Sequence, residues 1–332
     1  MRSPQTAGRP YAGREDLERA CQLLDACLAA DAAQGDLTVS QLREVLPSPR
    51  ADAVHNARLW EGAAGAVLGF GWAWTWTPPG VAPRPANLVA LAHPDLDTET
   101  WTSLVQEIVA WGIGRAHEIA RTEGVPVTLR ALVDDRQRRL IAGFREAGLT
   151  LEERHHLHYA RRLDDPAAPI PSPALPDGFT IRPLRGADEV EAFVALWGEA
   201  MGVPAPLTAP EQLATMGGPD YSPDLELLAE APDGELAAYV TAGIDRDECA
   251  RRGAVVGFTD PLGTRPRHRR LGLARGLLYE AFRRLRAHGA VETRVETGSW
   301  NTATQRLLES VGYRVTHRLL VFGQQVPPAP PG

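Results

Sequence analysis

No lysine occurs among the 332 residues: all 35 basic side chains are arginine. A lysine Schiff base or a lysine general base is thereby excluded. Cysteine is nearly absent, with Cys21, Cys27 and Cys249 alone. Three scattered cysteines build neither a disulfide framework nor a zinc ribbon, and they fit a reduced, cytoplasmic protein. No apolar run approaches the roughly 18 residues of a membrane span. The opening MRSPQTAGRPYAGRED has no apolar stretch of the kind a secretory signal needs. Positive charge is not in excess. The net charge of -7 argues against a general nucleic-acid or anionic-membrane binder. Also missing are G-x-x-x-x-G-K-[ST] and G-x-G-x-x-G, which excludes a P-loop and a Rossmann fingerprint. What remains is ordinary globular composition, 44% hydrophobic and 23% charged. Its Ala, Gly, Pro and arginine bias reads as a GC-rich bacterial coding sequence.

At about 150 residues per domain the length predicts two domains. After a loose tail over 1–12, helical spacing predicts a helix over Glu15–Ala33. Strands are expected at Ala53–Trp60, Ala66–Trp76 and Ala86–Ala92, and then a long helix over Thr100–Ala120. A strand at Val125–Val133, a helix at Asp135–Ala147 and a strand region at Leu149–Leu163 follow. The segment Asp164–Asp177 has five prolines in fourteen residues and reads as a semi-extended linker. The pattern then restarts. Strands are expected at Phe179–Pro183, Asp224–Ala229, Leu236–Ile244, Ala254–Thr264, Val291–Glu296 and Gly312–Phe322. Helices are expected at Gly186–Met201, Leu271–His288 and Thr302–Ser310. His93-Pro94-Asp95 and Arg265-Pro266-Arg267 each end a strand before a helix. Phe144–Leu149 matches Leu308–Tyr313 in spacing. The chain therefore reads as a divergent tandem duplication of α/β (α+β) domains. The expected division is 1–163, a linker at 164–177, 178–325, and a disordered tail at 326–332.

The segment VVGFTDPLGTRPRHRRLGLARGLL, Val255 to Leu278, carries the chemistry. A strand runs through an arginine-rich turn into a helix. The first turn of a helix offers free N–H groups and a positive dipole end. Gly272 and Ala274 let the backbone approach a bulky phosphate chain. Arg265, Arg267, His268, Arg269 and Arg270 add charge, and arginine forks onto phosphate oxygens. The segment reads as a diphosphate cradle.

Arg269-x-x-Gly272-x-Ala274 resembles the acyl-CoA motif of the GCN5-related N-acetyltransferases (GNAT). The run Asn301 to Gly312-Tyr313 resembles that family's following motif. The resemblance covers 178–325 well and 14–163 weakly. It implies two tandem GNAT-like domains, each a mixed, mostly antiparallel sheet flanked by helices. It further implies acetyl-CoA as co-substrate. Leu262, Gly263 and Thr264 would offer main-chain groups to the pantetheine arm. Arg269, Arg270, Leu271, Gly272, Leu273, Ala274 and Arg275 would cradle the pyrophosphate, and Asn301 would contact the other flank. Many members carry a tyrosine acid where this chain has Leu308. Tyr313 holds the usual aromatic position and reads as core. Asp260 would be the general base, by analogy with acidic residues near that point in some members. On the Pro94/Pro266 alignment the first half places Asp97, Thr100 and Thr102 where the cradle stands, so it reads as degenerate.

Weaker signals have plainer readings. His155, His156 and His158 read as a solvated strand face rather than a metal site, and no metal is expected. Trp72, Trp74 and Trp76 read as core or interface. Asp245, Asp247 and Glu248 read as a solvated loop, and Cys249 as an unactivated loop thiol. The expected function is acetyl transfer from acetyl-CoA to the amine of a small molecule, by direct attack in a ternary complex. The expected partner is that amine, with no nucleic acid and no membrane, in a monomer or homodimer. The rival is a non-catalytic acyl-CoA-binding regulator, kept open by Leu308.

Overall fold

Apolar residues at a spacing of three and four alternate with residues at a spacing of two, twice along the chain. Each pass builds sheet covered by helices. The computed structural model describes residues 8–31, 37–48, 51–75, 83–202, 207–218, 221–244 and 246–328. The first pass gives β1 (Arg9–Pro10), α1 (Arg14–Ala30), α2 (Val39–Val45), α3 (Ala53–Asn56), β2 (Ala57–Glu61), β3 (Val67–Trp74), β4 (Arg84–Ala92), α4 (Thr98–Glu123), β5 (Val127–Asp134), α5 (Arg138–Glu146), β6 (Thr150–Leu151) and β7 (His156–Arg162). The second gives β8 (Thr180–Pro183), α6 (Val190–Met201), α7 (Ala209–Met216), β9 (Glu226–Glu230), β10 (Leu236–Thr241), β11 (Gly243–Ile244), α8 (Arg246–Arg252), β12 (Val256–Phe258), β13 (Leu262–Thr264), α9 (Leu273–Ala287), β14 (Glu292–Gly298), α10 (Thr302–Ser310) and β15 (Arg314–Val326).

The chain divides into two compact units, Met1–His156 with His317–Gly332, and Leu157–Thr316. These differ from the expected 1–163 and 178–325 in a specific way. The strand closing each half joins the other unit. In the first unit, residues 319–326 of β15 pair antiparallel with β5 from Leu319↔Asp134 to Val326↔Val127. In the second, residues of β7 and its flank bond to the rest of the unit: Leu163 N–H donates to Val291 O at 2.8 Å. The proline-rich segment 164–177 lies inside the second unit, not between the two. Arg161 holds it there. Its guanidinium donates to Ala168 O at 3.1 Å and to Val311 O at the end of α10, and stacks 4.8 Å from the Phe282 ring.

The first unit's sheet runs β1-β2-β3-β4-β5-β15. One face carries Leu88, Leu129 and Val133 against Leu104, Val105 and Ile108 of α4. The other carries Leu59, Phe70 and Trp72 against Leu24 of α1 and Leu42 of α2. Of the expected loose tail over 1–12, residues 1–7 lie outside the described residues, and Arg9 is anchored, donating to Asp16 and Glu61 at 2.6 and 2.8 Å. Trp72 and Trp74 stack at 4.8 Å on the covered sheet, while Trp76 lies outside the described residues.

The second unit has two sheet pieces, β7-β14-β12-β11 and β13-β10-β9-β8. Alternation along β9 and β10 sorts the core into two layers. Leu227, Ala229, Ala238 and Val240 meet Leu277, Ala281 and Leu285 of α9. Leu228 and Tyr239 meet Phe193 and Leu196 of α6. The strand expected over Ala254–Thr264 is two strands in two sheet pieces. β12 pairs parallel with β14, whereas β13 pairs antiparallel with β10. Between them lies the cis Asp260–Pro261 bond. The expected loop at 245–252 is largely the helix α8. There Glu248 is paired with Arg251 and Arg252 at 2.8 and 2.6 Å, and Cys249 Sγ accepts from Val256 N–H. Asp245 lies outside the described residues.

Candidate active site

The site begins where β12 and β13 part. Register decides which main-chain groups of β13 are free. Gly263 faces Tyr239, in the same phase as Pro261, whose carbonyl accepts from Thr241 N–H at 3.0 Å, and Arg265, whose N–H donates to Ala237 O at 2.9 Å. Alternation then turns the main-chain groups of Leu262 and Thr264 away from β10. Among the described residues β13 has no strand on that side. An extended amide-bearing chain laid along it would take up those groups as an added strand does. Gly263 itself is fixed by packing: a Cβ there would come 2.4 Å from the Tyr239 ring and 2.9 Å from Ala200.

The open edge leads into the arginine turn and α9. The helix starts at Leu273, later than the arginine run, with Gly272 as its cap at φ +82°. A Cβ on Gly272 would meet nothing within 4 Å, so the space beside the first turn is open. Gly276 N–H closes the first helical bond, to Gly272 O. The N–H groups of Leu273, Ala274 and Arg275 precede it and have no intrahelical acceptor. Arg270 takes a left-handed φ of +68°, which a side chain adopts at a cost. The turn is thereby bent around the helix end.

The expected ring of five cations is not formed. Arg265, Arg267 and His268 converge on Glu235 instead, Arg265 at 3.0 Å and His268 Nε2 at 2.8 Å. Arg265 also reaches Glu199 at 3.1 Å. Arg269 donates to the carbonyls of Thr264 and Ala200 at 3.2 and 3.0 Å, so its guanidinium braces β13 and α6. Arg275 reaches Ser310 Oγ at 3.1 Å. Arg270 has no side-chain partner among the described residues and is exposed, as is Leu271. Asn301 caps α10, its Oδ1 accepting from Thr304 N–H at 3.2 Å.

Leu308 is fully buried and has no proton to donate. Tyr313 is equally buried, with its hydroxyl on Thr259 Oγ1 at 2.6 Å and Thr293 Oγ1 at 3.3 Å. Burial pushes its ionisation well above the usual phenol range. Asp260 is half-buried beside the start of the open edge, and its charge acts on Tyr313. His158 faces Glu296 at 3.3 Å.

A second carboxylate, which the sequence offers only as a fallback should Asp260 fail as the base, stands here. Glu226, at the start of β9, is 2% exposed, and burial pushes its ionisation up to about 7. Thr241 Oγ1 donates to its Oε1 at 2.7 Å. Its only signal in the sequence is an acidic residue opening an otherwise apolar strand, ELLAE.

The sequence profile of the acetyltransferase (GNAT) family matches residues 196–313. No curated relative matches. Among solved structures, the chain is similar to a GCN5-related N-acetyltransferase from Sphaerobacter thermophilus. That pair shares 23% identity over 98% of this chain and 97% of the other, with a TM-score of 0.71. A tandem GNAT protein from the clavulanic acid biosynthesis pathway aligns at 16% identity over 98% and 99%, with a TM-score of 0.69. The N-myristoyltransferase of Saccharomyces cerevisiae aligns at 12% over 99% and 80%, with a TM-score of 0.62. Residues 196–313 thus carry a GNAT acetyltransferase domain, within a chain that has the tandem GNAT fold throughout.

Proposed function

We propose that the second unit transfers an acetyl group from acetyl-CoA to the amine of a small molecule, by direct attack in a ternary complex. The observation that carries this reading is the open edge of β13 running straight into the uncapped, open first turn of α9. The residues present fit the co-substrate. Leu262 offers its main-chain groups, and Thr264 its N–H, to the pantetheine amides. Gly272, Leu273, Ala274 and Arg275 offer N–H groups to the pyrophosphate, and Arg270 offers an unpaired guanidinium. Arg269 serves by holding the turn in place, and Asn301 by fixing the start of α10 at the far flank. The co-substrate brings an activated thioester, so the protein has to bind, orient and move a proton. Asp260 and Glu226 both stand near the start of the edge and are the two candidates for taking that proton.

In the first unit, α4 is capped by Asp97, whose own carboxylate accepts from Thr100 N–H at 3.0 Å and from Thr100 Oγ1 at 2.7 Å. The corresponding anion site is filled by the chain itself, which supports one acetyl-CoA per chain. Calorimetry with acetyl-CoA, followed by thiol release with an amine panel, tests the function. One tight site with amine-dependent release is expected. Binding without release from any amine would favour a CoA-binding regulator.

A further inference from the structure

Three carboxylates are buried among the described residues: Asp16, Asp134 and Glu226. Asp16 is paired with Arg9 and Arg19, and Asp134 with Arg136 and His317. Among the described residues no cation pairs with Glu226. A buried carboxylate is ordinarily paired, because desolvation otherwise disfavours its charge. The groups around it add to the puzzle. The hydroxyls of Tyr239 and Tyr221 are buried without a hydrogen-bond partner, yet both feel the charge of Glu226. Gln212 of α7 turns its amide toward Glu226, but its nitrogen closes no bond of ordinary geometry. Buried polar atoms left unpaired are costly and uncommon.

The cluster's place in the fold matters as much as its composition. Thr241 and Tyr239 are two apart on β10 and share one face. Thr241 holds Glu226, and Tyr239 lies in the layer under α6. The cluster is therefore on the α6 face, whereas α9 and its phosphate-binding end cover the opposite face. Thr241 N–H is bonded to Pro261 O, one residue before the open edge. Two strand spacings, about 10 Å, separate the β9 backbone from that edge. A glutamate side chain and one water, or the substrate itself, cover the distance.

We infer that Glu226, Tyr239 and Tyr221 form the recognition site for the protonated head of a primary amine acceptor, with Glu226 taking its proton. This rests on the acetyltransferase reading above. An alkylammonium has three N–H donors. The carboxylate and the two unpartnered phenolic oxygens offer acceptors, and the cation supplies the missing counter-charge. Tyr221 is half-buried and is the member that reaches the surface. An alcohol or thiol acceptor would leave the carboxylate unpaired. The proton steps balance. The ammonium gives one proton to Glu226. The freed nitrogen lone pair forms the C–N bond to the thioester carbonyl, and the C–S bond breaks with its electron pair on sulfur. A second N–H proton goes to that sulfur, giving CoA, and Glu226 returns its proton to water. An ionisation near 7 suits a base that must load and unload at neutral pH.

The test is calorimetry on the full chain without acetyl-CoA. The probes are butylamine, phenethylamine and putrescine, each beside the corresponding alcohol. At least one amine is expected to bind and its alcohol not to bind. Glu226→Gln should weaken the amine on the order of 10-fold or more, and Tyr239→Phe by a smaller factor. Acetyl-CoA affinity should be unchanged in both. Where an amine is turned over, the acidic limb of the kcat pH profile should vanish in Glu226→Gln and persist in Asp260→Asn. No preference of any amine over its alcohol, or equal amine binding by Glu226→Gln and wild type, would overturn the inference. A cluster that holds only buried water gives that outcome. Should Glu226→Gln not fold, Tyr239→Phe with the same probes decides. Failure of wild type to bind acetyl-CoA would instead overturn the functional reading, since the amine titration does not depend on it.

Discussion

The two long helices α4 and α9 hold the same place in their units, and their first turns are opposites. Asp97 caps α4 with its own carboxylate. Gly272 caps α9 with no side chain at all and leaves the first-turn N–H groups facing open space. The helix dipole favours an anion at both ends. In one unit that anion is built in, and in the other it is left to be supplied. An internal carboxylate gives stability, whereas an open cap gives a binding site. Their backbones repeat this contrast. Asp97 has φ -58°, while Gly272 and Arg270 have positive φ.

The sharpest way to break the contrast is to give α9 the cap of α4. Gly272→Asp should lower acetyl-CoA affinity on the order of 100-fold, since a carboxylate then occupies the diphosphate position. Calorimetry reads this, and circular dichroism should show the fold retained. A variant that binds normally would refute the cradle.

Next in size is the buried carboxylate of the second unit. Burial raises the ionisation of Glu226 to about 7 from an ordinary 4.5. The folded state therefore holds a proton that the unfolded state has lost between those values. The stabilisation it gives is complete below about pH 4.5 and disappears as pH rises through about 7. The change is about 3 kcal/mol. Urea unfolding at pH 5 and pH 8 should show Glu226→Gln with a flatter pH dependence than wild type. Parallel slopes would mean that Glu226 is ionised throughout.

The reverse exchange in α4 should have a smaller effect. Asp97→Ala removes a cap bond and should lower the thermal midpoint slightly. It should not create a second acetyl-CoA site, because no free arginine turn precedes α4. Two sites of comparable affinity in the titration would sink the one-site reading. Smallest of all, Arg270→Gly should relieve backbone strain of about 1 kcal/mol while weakening acetyl-CoA a few-fold through loss of the guanidinium. A variant with lower stability would show that the Arg270 side chain holds the turn.

Much of the second unit's architecture was legible in residue order. The Arg269-x-x-Gly272-x-Ala274 spacing, the helix behind it and Asn301 ahead of α10 are local features, and local hydrogen bonding fixes them. Partner choice was not legible. Arg265, Arg267 and His268 were expected to face a ligand. Glu235, some thirty residues earlier, takes all three, because the β9–β10 turn brings it beside them. Nor does the sequence show that Glu226 is buried. Its ionisation depends on being covered by other segments of the chain, and no stretch of sequence encodes that by itself.

The sequence alone determined the repeated element order, the glycine at the head of α9, the aspartate at the head of α4 and the absence of lysine chemistry. These follow from short-range sterics, dipoles and composition. Tertiary structure decided the rest. It sent the last strand of each half into the other unit and split residues 254–264 between two sheet pieces. It also sealed Tyr313 and Leu308 in the core and left Glu226 buried with no cation paired to it among the described residues. Each of these depends on which distant strand comes alongside, and backbone pairing and desolvation are settled only when that neighbour is in place.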